Sequence, residues 1–212
     1  MPTIATNNEV VTVIIIFSVE PQRQQELLDA INEFLDTVKE QPGFVSASLH
    51  KSIDGLKVAN YAQWRSQEDY DNFLNNKQAQ GKTAKLKQFN PPDVHVYEVI
   101  SSDSKEGPPQ IKQGGYIAHF AEFRMQPENQ PRMVELAKEN ISKAMELPGL
   151  ISANFHRSID GTRVINYGQW LDRETIETLK KQPGFGKDTP YWEGIAENEH
   201  HLYEVTFTYP HE

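Results

Sequence analysis

The chain has 212 residues, no cysteine and a formal net charge of −9. The lack of cysteine excludes a disulfide framework, a thiolate metal site and a cysteine nucleophile. The acidic balance argues against general nucleic-acid binding, which needs a basic surface to neutralise phosphates. The longest apolar run, residues 10–17, is too short to cross a bilayer and lacks the flanks of a signal peptide, so we expect no membrane segment and a cytoplasmic protein.

A stretch of 23 residues occurs twice, at residues 42–64 and 148–170, with a constant offset of 106. Fourteen of the 23 aligned positions are identical, and several differences keep the chemistry, such as Lys51 against Arg157. Chance does not produce that agreement. The chain is therefore a tandem duplication of two units of about 100 residues each, a usual domain size.

The first half begins with residues 1–8, which look like a loose arm, and residues 9–19, whose β-branched composition is typical of a buried strand. Pro21 suits the first turn of the helix that follows, where apolar side chains recur every three to four residues. Two further strands, residues 44–52 and 56–65, flank Asp54-Gly55.

Ser66 and Asp69 resemble a capping box that opens a second helix. A polar, Lys-rich loop follows at residues 77–92, and residues 94–100 form the fourth strand. Residues 101–115 are rich in Ser, Gly and Pro and indicate a linker. The cycle then restarts, so we predict domains at residues 9–100 and 116–208.

Each half has the order β-α-β-β-α-β, which predicts an α+β protein with two tandem ferredoxin-like domains. Such a sheet carries both helices on one face and leaves the other face bare and partly apolar, so that face must be covered. The sister half is the obvious cover. We therefore expect antiparallel sheets packed face to face as an intramolecular pseudo-dimeric α/β barrel, with room left for a further homodimer.

The turn at Asp54-Gly55 decides which side chains of the hairpin share a face. Strand side chains alternate, so Asn60 and Trp64 point to the same side. A two-residue turn pairs His50 with Ala59 and places it opposite Asn60, whereas a three-residue loop pairs His50 with Val58 on the face of Asn60. The second arrangement is favoured, because Asp followed by Gly suits a type I turn.

Three features together resemble the antibiotic biosynthesis monooxygenase family of the dimeric α/β-barrel superfamily. They are the β-α-β-β-α-β half, the H-(R/K)-S-x-D-G hairpin and the N-Y-x-x-W strand. The motif is most similar to that of the cofactor-free anthrone and quinol oxygenases of aromatic polyketide pathways. The resemblance implies a small aromatic substrate, O₂ as co-substrate, no metal and no other cofactor.

The resemblance also implies site residues in a pocket between sheet and helices. In the first half these are His50, Asn60, Trp64 and Tyr70. The second half keeps His156, Asn166 and Trp170 but has Ile176 in place of the tyrosine. The family's oxygenases place an arginine after the second helix, and the candidates here for a substrate anion are Lys82, Lys85 and Lys187.

The expected reaction needs no cofactor, since a deprotonated anthrone or quinol can pass an electron to O₂. Trp64 can stack on an aromatic ring or donate its indole N–H. Asn60 can hydrogen-bond a phenolate or peroxide as an oxyanion-hole donor does. His50 can act as base, and Tyr70 can donate to a carbonyl oxygen.

Two rival functions follow from the same residues. A non-catalytic binding or structural barrel predicts that His50 and Asn60 are held by protein partners and that no cavity lies beside Trp64. An isomerase or cyclase would use His50 as a base without O₂. The family's fold hosts many roles, so the sequence alone does not choose between them.

Overall fold

The computed structural model describes residues 1–7, 9–182 and 190–210. The elements of the first half are, in chain order, β1 (Val11–Ser18), α1 (Gln24–Val38), β2 (Phe44–Ser52), β3 (Lys57–Trp64), α2 (Gln67–Asn75), α3 (Lys77–Gln80) and β4 (Asp93–Ser104). Those of the second half are β5 (Ile117–Arg124), α4 (Gln130–Met145), β6 (Leu150–Ser158), β7 (Arg163–Trp170), α5 (Arg173–Lys180) and β8 (Glu197–Tyr209).

The helices begin where local chemistry starts them. A 3-10 turn at Pro21–Arg23 leads into α1, which buries its apolar stripe against the sheet. The Ser66 hydroxyl accepts the backbone N–H of Asp69 at the start of α2, which confirms the predicted cap. The Asp172 carboxylate accepts the N–H of Thr175 at the start of α5 in the same way. The loop predicted at residues 77–92 contains α3 and two 3-10 turns.

The eight strands form one closed antiparallel barrel in the order β1-β3-β2-β8-β5-β7-β6-β4. Each half supplies four neighbouring strands, and two seams join the halves: β2 pairs with β8, and β4 pairs with β6. The predicted α+β pseudo-dimeric barrel is confirmed. The sheets also join edge to edge, so that the barrel has no open strand edge.

Three apolar clusters fill the molecule. One lies inside the barrel and draws on both halves, with Tyr61, Phe120 and Tyr203 among its largest side chains. The other two lie outside the barrel, each between one half's strands and its own helices. Alternation along each strand feeds one side chain to the interior and the next to the helix layer. None of the described helices has the length and apolarity needed to span a bilayer.

The N-terminal arm is packed, and the prediction that it is loose is wrong. Ile4 is fully buried in the interior cluster, and so is Ile111 from the predicted linker. Thr3 and Gln110 form a β-bridge between the two segments. The predicted linker also begins later than expected, because β4 continues through Ser104.

Two glutamines hold these segments at the barrel end. The Gln63 amide donates to the Thr3 carbonyl over 2.9 Å, and the Gln169 amide donates to the Gln110 carbonyl over 2.8 Å. The arm and the linker thus make equivalent bonds to equivalent strands. Together they close one end of the barrel.

Each hairpin loop clamps a histidine of the other half. His95 on β4 lies between Asp93 (2.8 Å) and Asp160 of the second hairpin (2.6 Å). His201 on β8 lies between Glu199 (3.0 Å) and Asp54 of the first hairpin (2.6 Å). We call these groups the hairpin clamps. They reinforce both seams with charge-assisted hydrogen bonds.

Candidate functional site

A cavity of about 200 Å³ lies between the first-half strands and helices α1 and α2. Its walls are mainly apolar side chains from every layer of that half. Three residues with polar side chains are part of the lining: Asn60, Tyr70 and Gln80. The rest of the lining is Val13, Ile15, Phe17, Ile31, Phe34, Leu35, Val38, Ala62, Trp64, Phe73, Leu74, Leu86, Pro92 and Val94.

Strand β3 delivers two of the predicted site residues to this cavity. Asn60, Ala62 and Trp64 alternate with residues that face the barrel interior, and all three line the cavity. Tyr70 arrives from the first turns of α2, which the Ser66 cap starts. Asn60, Trp64 and Tyr70 therefore lie together in the lining of the cavity.

Trp64 forms the aromatic base of the cavity and is 1% exposed. Its ring stacks on Phe73 at 5.0 Å between centroids and is met edge-on by Phe44 at 5.2 Å. Tyr70 lies 5.6 Å away at a tilted angle. This packing fixes the indole, and it favours a flat apolar ligand at the cavity.

Asn60 is the cavity-lining residue that has a buried polar atom without a hydrogen-bond partner among the described residues. It is 7% exposed, and its Oδ1 is buried without a hydrogen-bond partner among the described residues. A buried amide without a partner destabilises the fold, so it marks a place where a ligand can complete the hydrogen bond. Burial raises the pKa of Tyr70 to about 12, so its hydroxyl stays protonated and can donate.

His50 does not reach the cavity, and the favoured hairpin register is wrong. His50 pairs with Ala59, so it faces the barrel interior, opposite to Asn60 and Trp64. It is 0% exposed, and its Nε2 lies 3.1 Å from the Tyr167 hydroxyl of the other half. Burial lowers the pKa of His50 to about 3, so the ring is neutral near pH 7 and has no access to a substrate in the cavity.

The hairpin loop explains the register. Residues 53–56 connect β2 to β3, so the loop has four residues. A four-residue loop and a two-residue turn at Asp54-Gly55 both pair His50 with Ala59, whereas a three-residue loop does not. The Ser52 hydroxyl accepts the backbone N–H of Lys57, and the Asp54 carboxylate accepts the N–H of Leu56. These side-chain bonds fix the longer loop.

The second half places its predicted residues differently. His156 faces the barrel interior and accepts a hydrogen bond from the Tyr61 hydroxyl at Nε2 (3.0 Å), because its Nδ1–H donates to the Asn154 carbonyl. Burial lowers the pKa of His156 to about 4. Asn166 Oδ1 accepts the backbone N–H of Asn154, so this amide is held by protein where Asn60 is not.

Trp170 packs in the second-half cluster with Ile176, the residue that replaces Tyr70. Tyr191 and Trp192 bring their rings to 6.2 and 5.2 Å from that of Phe123, the equivalent of cavity-lining Phe17. Aromatic side chains thus lie where the first half has part of its cavity.

The lysines predicted to bind a substrate anion do not line the first-half cavity. Lys85 forms an exposed ion pair with Glu33, and Lys82 is exposed. Lys187 lies outside the described residues. Within the part of the chain that the structure describes, no group of three or more His, Asp or Glu side chains is arranged to hold a metal ion.

Sequence reasoning missed two histidines on the helix-facing side of the second half. His119 and His200 stand where the first half has Val13 and Val94, which both line the cavity. The signal was available: the two halves differ at these positions when they are compared residue by residue.

The chain belongs to the antibiotic biosynthesis monooxygenase family, which matches residues 10–81 and again residues 116–187. The resemblance stated from the sequence is thereby confirmed.

Among known proteins, the chain is similar to the tetracenomycin-F1 monooxygenase of Streptomyces glaucescens, with 44% identity over 71 residues. That alignment covers 33% of this chain and 63% of the relative.

Solved structures share the whole architecture at low sequence identity. An anthrone oxidase-like protein superposes with a TM-score of 0.83 at 19% identity, covering 98% of this chain and 95% of the other. A regulator of staphylococcal pathogenesis superposes with a TM-score of 0.52 at 10% identity, covering 91% of this chain and 98% of the other. These likenesses establish the fold, which proteins of different roles share.

Proposed function

We propose that the chain is a cofactor-independent monooxygenase that oxidises a small aromatic polyphenol, of the anthrone or quinol type, with O₂ in the first-half cavity. The observation that carries the proposal is Asn60, whose buried Oδ1 has no hydrogen-bond partner among the described residues, in an apolar cavity beside Trp64 and Tyr70. Family membership and the name of the Streptomyces relative support the same reaction class.

The proposed chemistry uses the reactivity of the substrate. The anthrone loses its C–H proton to water, its anion passes one electron to O₂, and the radical pair collapses to a peroxide anion that takes a proton from water to form a hydroperoxide. Loss of water then leaves a carbonyl where the methylene group stood. The protein needs to bind the flat ring, stabilise the oxyanion and exclude bulk water.

The roles fall on three residues of the first half. Asn60 accepts a hydrogen bond from a substrate hydroxyl at its unpartnered Oδ1 and donates from Nδ2–H to the ring oxygen on which negative charge develops. The protonated Tyr70 hydroxyl donates to a second oxygen. Trp64 forms the wall against which the ring lies. His50 has no role in the proposed site, because it is fully buried inside the barrel.

The cavity also limits the ligand. Its volume of about 200 Å³ is below the range of roughly 300–1,000 Å³ that is usual for drug-sized ligands. A compact polyphenol of few rings fits this volume better than a glycosylated or chain-bearing one. The apolar walls favour a neutral resting substrate, since burial penalises the ionised form.

A binding-only role is the second candidate, and one observation favours it. None of the residues that line the cavity is a histidine or carboxylate that titrates near neutral pH. A cavity without such a base can hold a polyphenol without activating it. The isomerase or cyclase alternative loses its support, since it required His50 as the base in contact with substrate.

Oxygen uptake with 1,8-dihydroxyanthrone and with a naphthohydroquinone tests the proposal, after subtraction of the uncatalysed oxidation. We expect Asn60→Ala to lower kcat by roughly 10²-fold, the usual effect of deleting an oxyanion donor. Trp64→Phe should lower kcat/KM by roughly three- to tenfold, since the smaller ring offers the substrate less aromatic surface to lie against.

The second half provides matched controls. Asn166→Ala and Trp170→Phe change the same residue types at equivalent positions and should leave the rate within about twofold of wild type when Asn166 is held by backbone. A folded wild type that binds these compounds without accelerating oxygen uptake would establish the binding-only role. Equal losses in both halves would place the reaction elsewhere.

A further inference from the structure

Three positions that line the first-half cavity become basic in the second half. Val13, Leu74 and Val94 contribute apolar wall to the cavity. Their equivalents at the offset of 106 are His119 on β5, Lys180 on α5 and His200 on β8. The changes lie on three separate elements, yet they converge on one face of the second half.

The two imidazoles are neighbours, and the described part of the chain gives neither ring a hydrogen-bond partner. Their ring centroids lie 5.5 Å apart at an angle of 74°. His119 is half-buried and His200 is exposed, so the pair leads from the packed strands outward to solvent.

Gly168 leaves room beside this pair. The first half has Ala62 at the equivalent position. A methyl group on Gly168 would lie 3.4 Å from the indole Nε1 of Trp170 and 3.6 Å from Cβ of His119. The space left by the missing methyl group therefore borders both the indole N–H of Trp170 and His119, which adds a third donor.

Lys180 supplies the positive charge beside this pair, and both imidazoles are neutral near pH 7. Burial, followed by the charges of His200 and Lys180, lowers the pKa of His119 to about 3. Burial and the charge of Lys180 also lower the pKa of His200. A negative ligand reverses this balance, because it relieves the repulsion and accepts hydrogen bonds from the imidazole, ammonium and indole groups.

We propose that the second half carries a separate binding site for an aromatic oxyanion, a carboxylate or phenolate, formed by His119, His200, Lys180 and the Trp170 indole. Its ligand differs in charge from the neutral polyphenol proposed for the first half. The site does not depend on the oxygenase proposal, since no residue is shared.

The test uses the intact chain with ¹⁵N-labelled histidine and 1-hydroxy-2-naphthoate as probe. Resonances of all seven histidines are assigned by substitution and titrated with pH, with and without the probe. We expect the pKa of His119 and His200 to rise on saturation by roughly one unit or more, with no change at His50 and His156. The neutral comparator 1-naphthol should not move the His119 or His200 resonances.

The first half supplies the matched variant. His119→Val, Lys180→Leu and His200→Val together install the residues of the first-half cavity. Calorimetry should show that the triple variant binds the naphthoate at least roughly tenfold more weakly, because charge-assisted hydrogen bonds are lost. Its affinity for 1-naphthol should be unchanged. Unchanged naphthoate affinity in the triple variant would overturn the proposal.

The labelled wild type decides the question even if the triple variant does not fold. A naphthoate complex that leaves both His119 and His200 unperturbed, or no complex at millimolar probe, contradicts the site. A lack of oxygen uptake would contradict only the oxygenase proposed for the first half. The histidine resonances test the second-half site independently.

Discussion

The duplicated histidines of the hairpins join the two halves inside the barrel. His50 lies against Tyr167, and His156 accepts from Tyr61, so each contact crosses from one half to the other. Both rings are completely buried and neutral near pH 7. Their retention in both halves follows from the symmetry of the interior, and it needs no catalytic role.

These buried rings make stability fall in acid. The pKa of His50 in the folded state, about 3, lies below its ordinary value of 6.5. Below pH 6.5 the unfolded chain therefore binds a proton that the folded chain does not, and stability is lost as pH falls. We expect His50→Gln to reduce the slope of unfolding free energy against pH, between pH 6 and 4.5, by about 1.4 kcal/mol per unit.

Denaturant titrations at several pH values measure that slope, and the difference in slope is independent of any constant loss of stability in the variant. His156→Gln serves as the symmetric comparison over pH 6 to 5, since the pKa of His156 is about 4. An unchanged slope would show that His50 is protonated in the folded protein. Oxygen uptake by folded His50→Gln should stay near the wild-type rate.

At the scale of elements, the hairpin shows both what the sequence predicts and where it stops. The strand bounds at 44–52 match β2, and alternation correctly places Asn60 with Trp64. The face to which His50 points was not predictable, because it depends on the loop length. The side-chain hydrogen bonds of Ser52 and Asp54 select a loop of four residues instead of three. Two loops that suit the same Asp-Gly pair give opposite faces to His50.

The volume and the full lining of the cavity could not be predicted from the sequence for a related reason. Its walls include Phe34 from α1 and Leu86 from a 3-10 turn that sequence patterns assigned to an irregular loop. The fold class was accessible, because the repeat and the order of elements are local signals. The cavity volume depends on how distant side chains pack, which no local pattern encodes.

The clamp that joins His95 to Asp93 and Asp160 stabilises the fold only within a range of pH. The pKa of His95 is raised, chiefly by its hydrogen bond to Asp93, so this part of the stability is complete below about 6.5 and lost as pH rises through the folded pKa. The pKa of Asp160 is lowered by its hydrogen bonds despite partial burial, so its part is present above about 4 and lost as pH falls through the folded pKa.

Asp160→Asn tests this clamp and keeps the Oδ1 that accepts from Ser158 and Thr162. We expect it to lower the unfolding free energy by about 1 kcal/mol at pH 6, a value reduced for solvent screening of a half-exposed carboxylate, and by less at pH 9. Asp103→Asn, at an exposed position of β4, should change stability by less than about 0.5 kcal/mol. Equal effects of Asp160→Asn at the two pH values would contradict an ionic clamp.

At the scale of the whole molecule, the two repeats form one barrel with a shared interior. Neither half closes by itself, since each leaves one edge on its second strand and one on its fourth. The interior is filled by side chains, as in other eight-stranded barrels. The ligand sites proposed here therefore lie outside the barrel, in the helix layers, where the two halves are free to differ.

A chain cut after residue 112 should form a homodimer. In the full barrel β2 pairs with β8, the repeat of β4, and β4 pairs with β6, the repeat of β2. In the fragment, β2 of one copy can therefore pair with β4 of the other, and Asp54 can clamp His95 of the second copy. Light scattering coupled to size exclusion should give twice the fragment mass. A folded monomer would show that the seams are not needed to stabilise a half.

The pairing of β2 with β8 sets the order in which the protein can be completed during translation. Residues 44–52 leave the ribosome early, whereas their partner strand ends at residue 209, so this edge waits for almost the whole chain. The partner of β4 is synthesised much sooner. A stalled or truncated chain thus presents an unpaired β2 edge, and two such chains on one messenger are placed to pair with each other. Once synthesis is complete, the duplication lets β2 close without a second molecule, because its partner strand is on the same polypeptide.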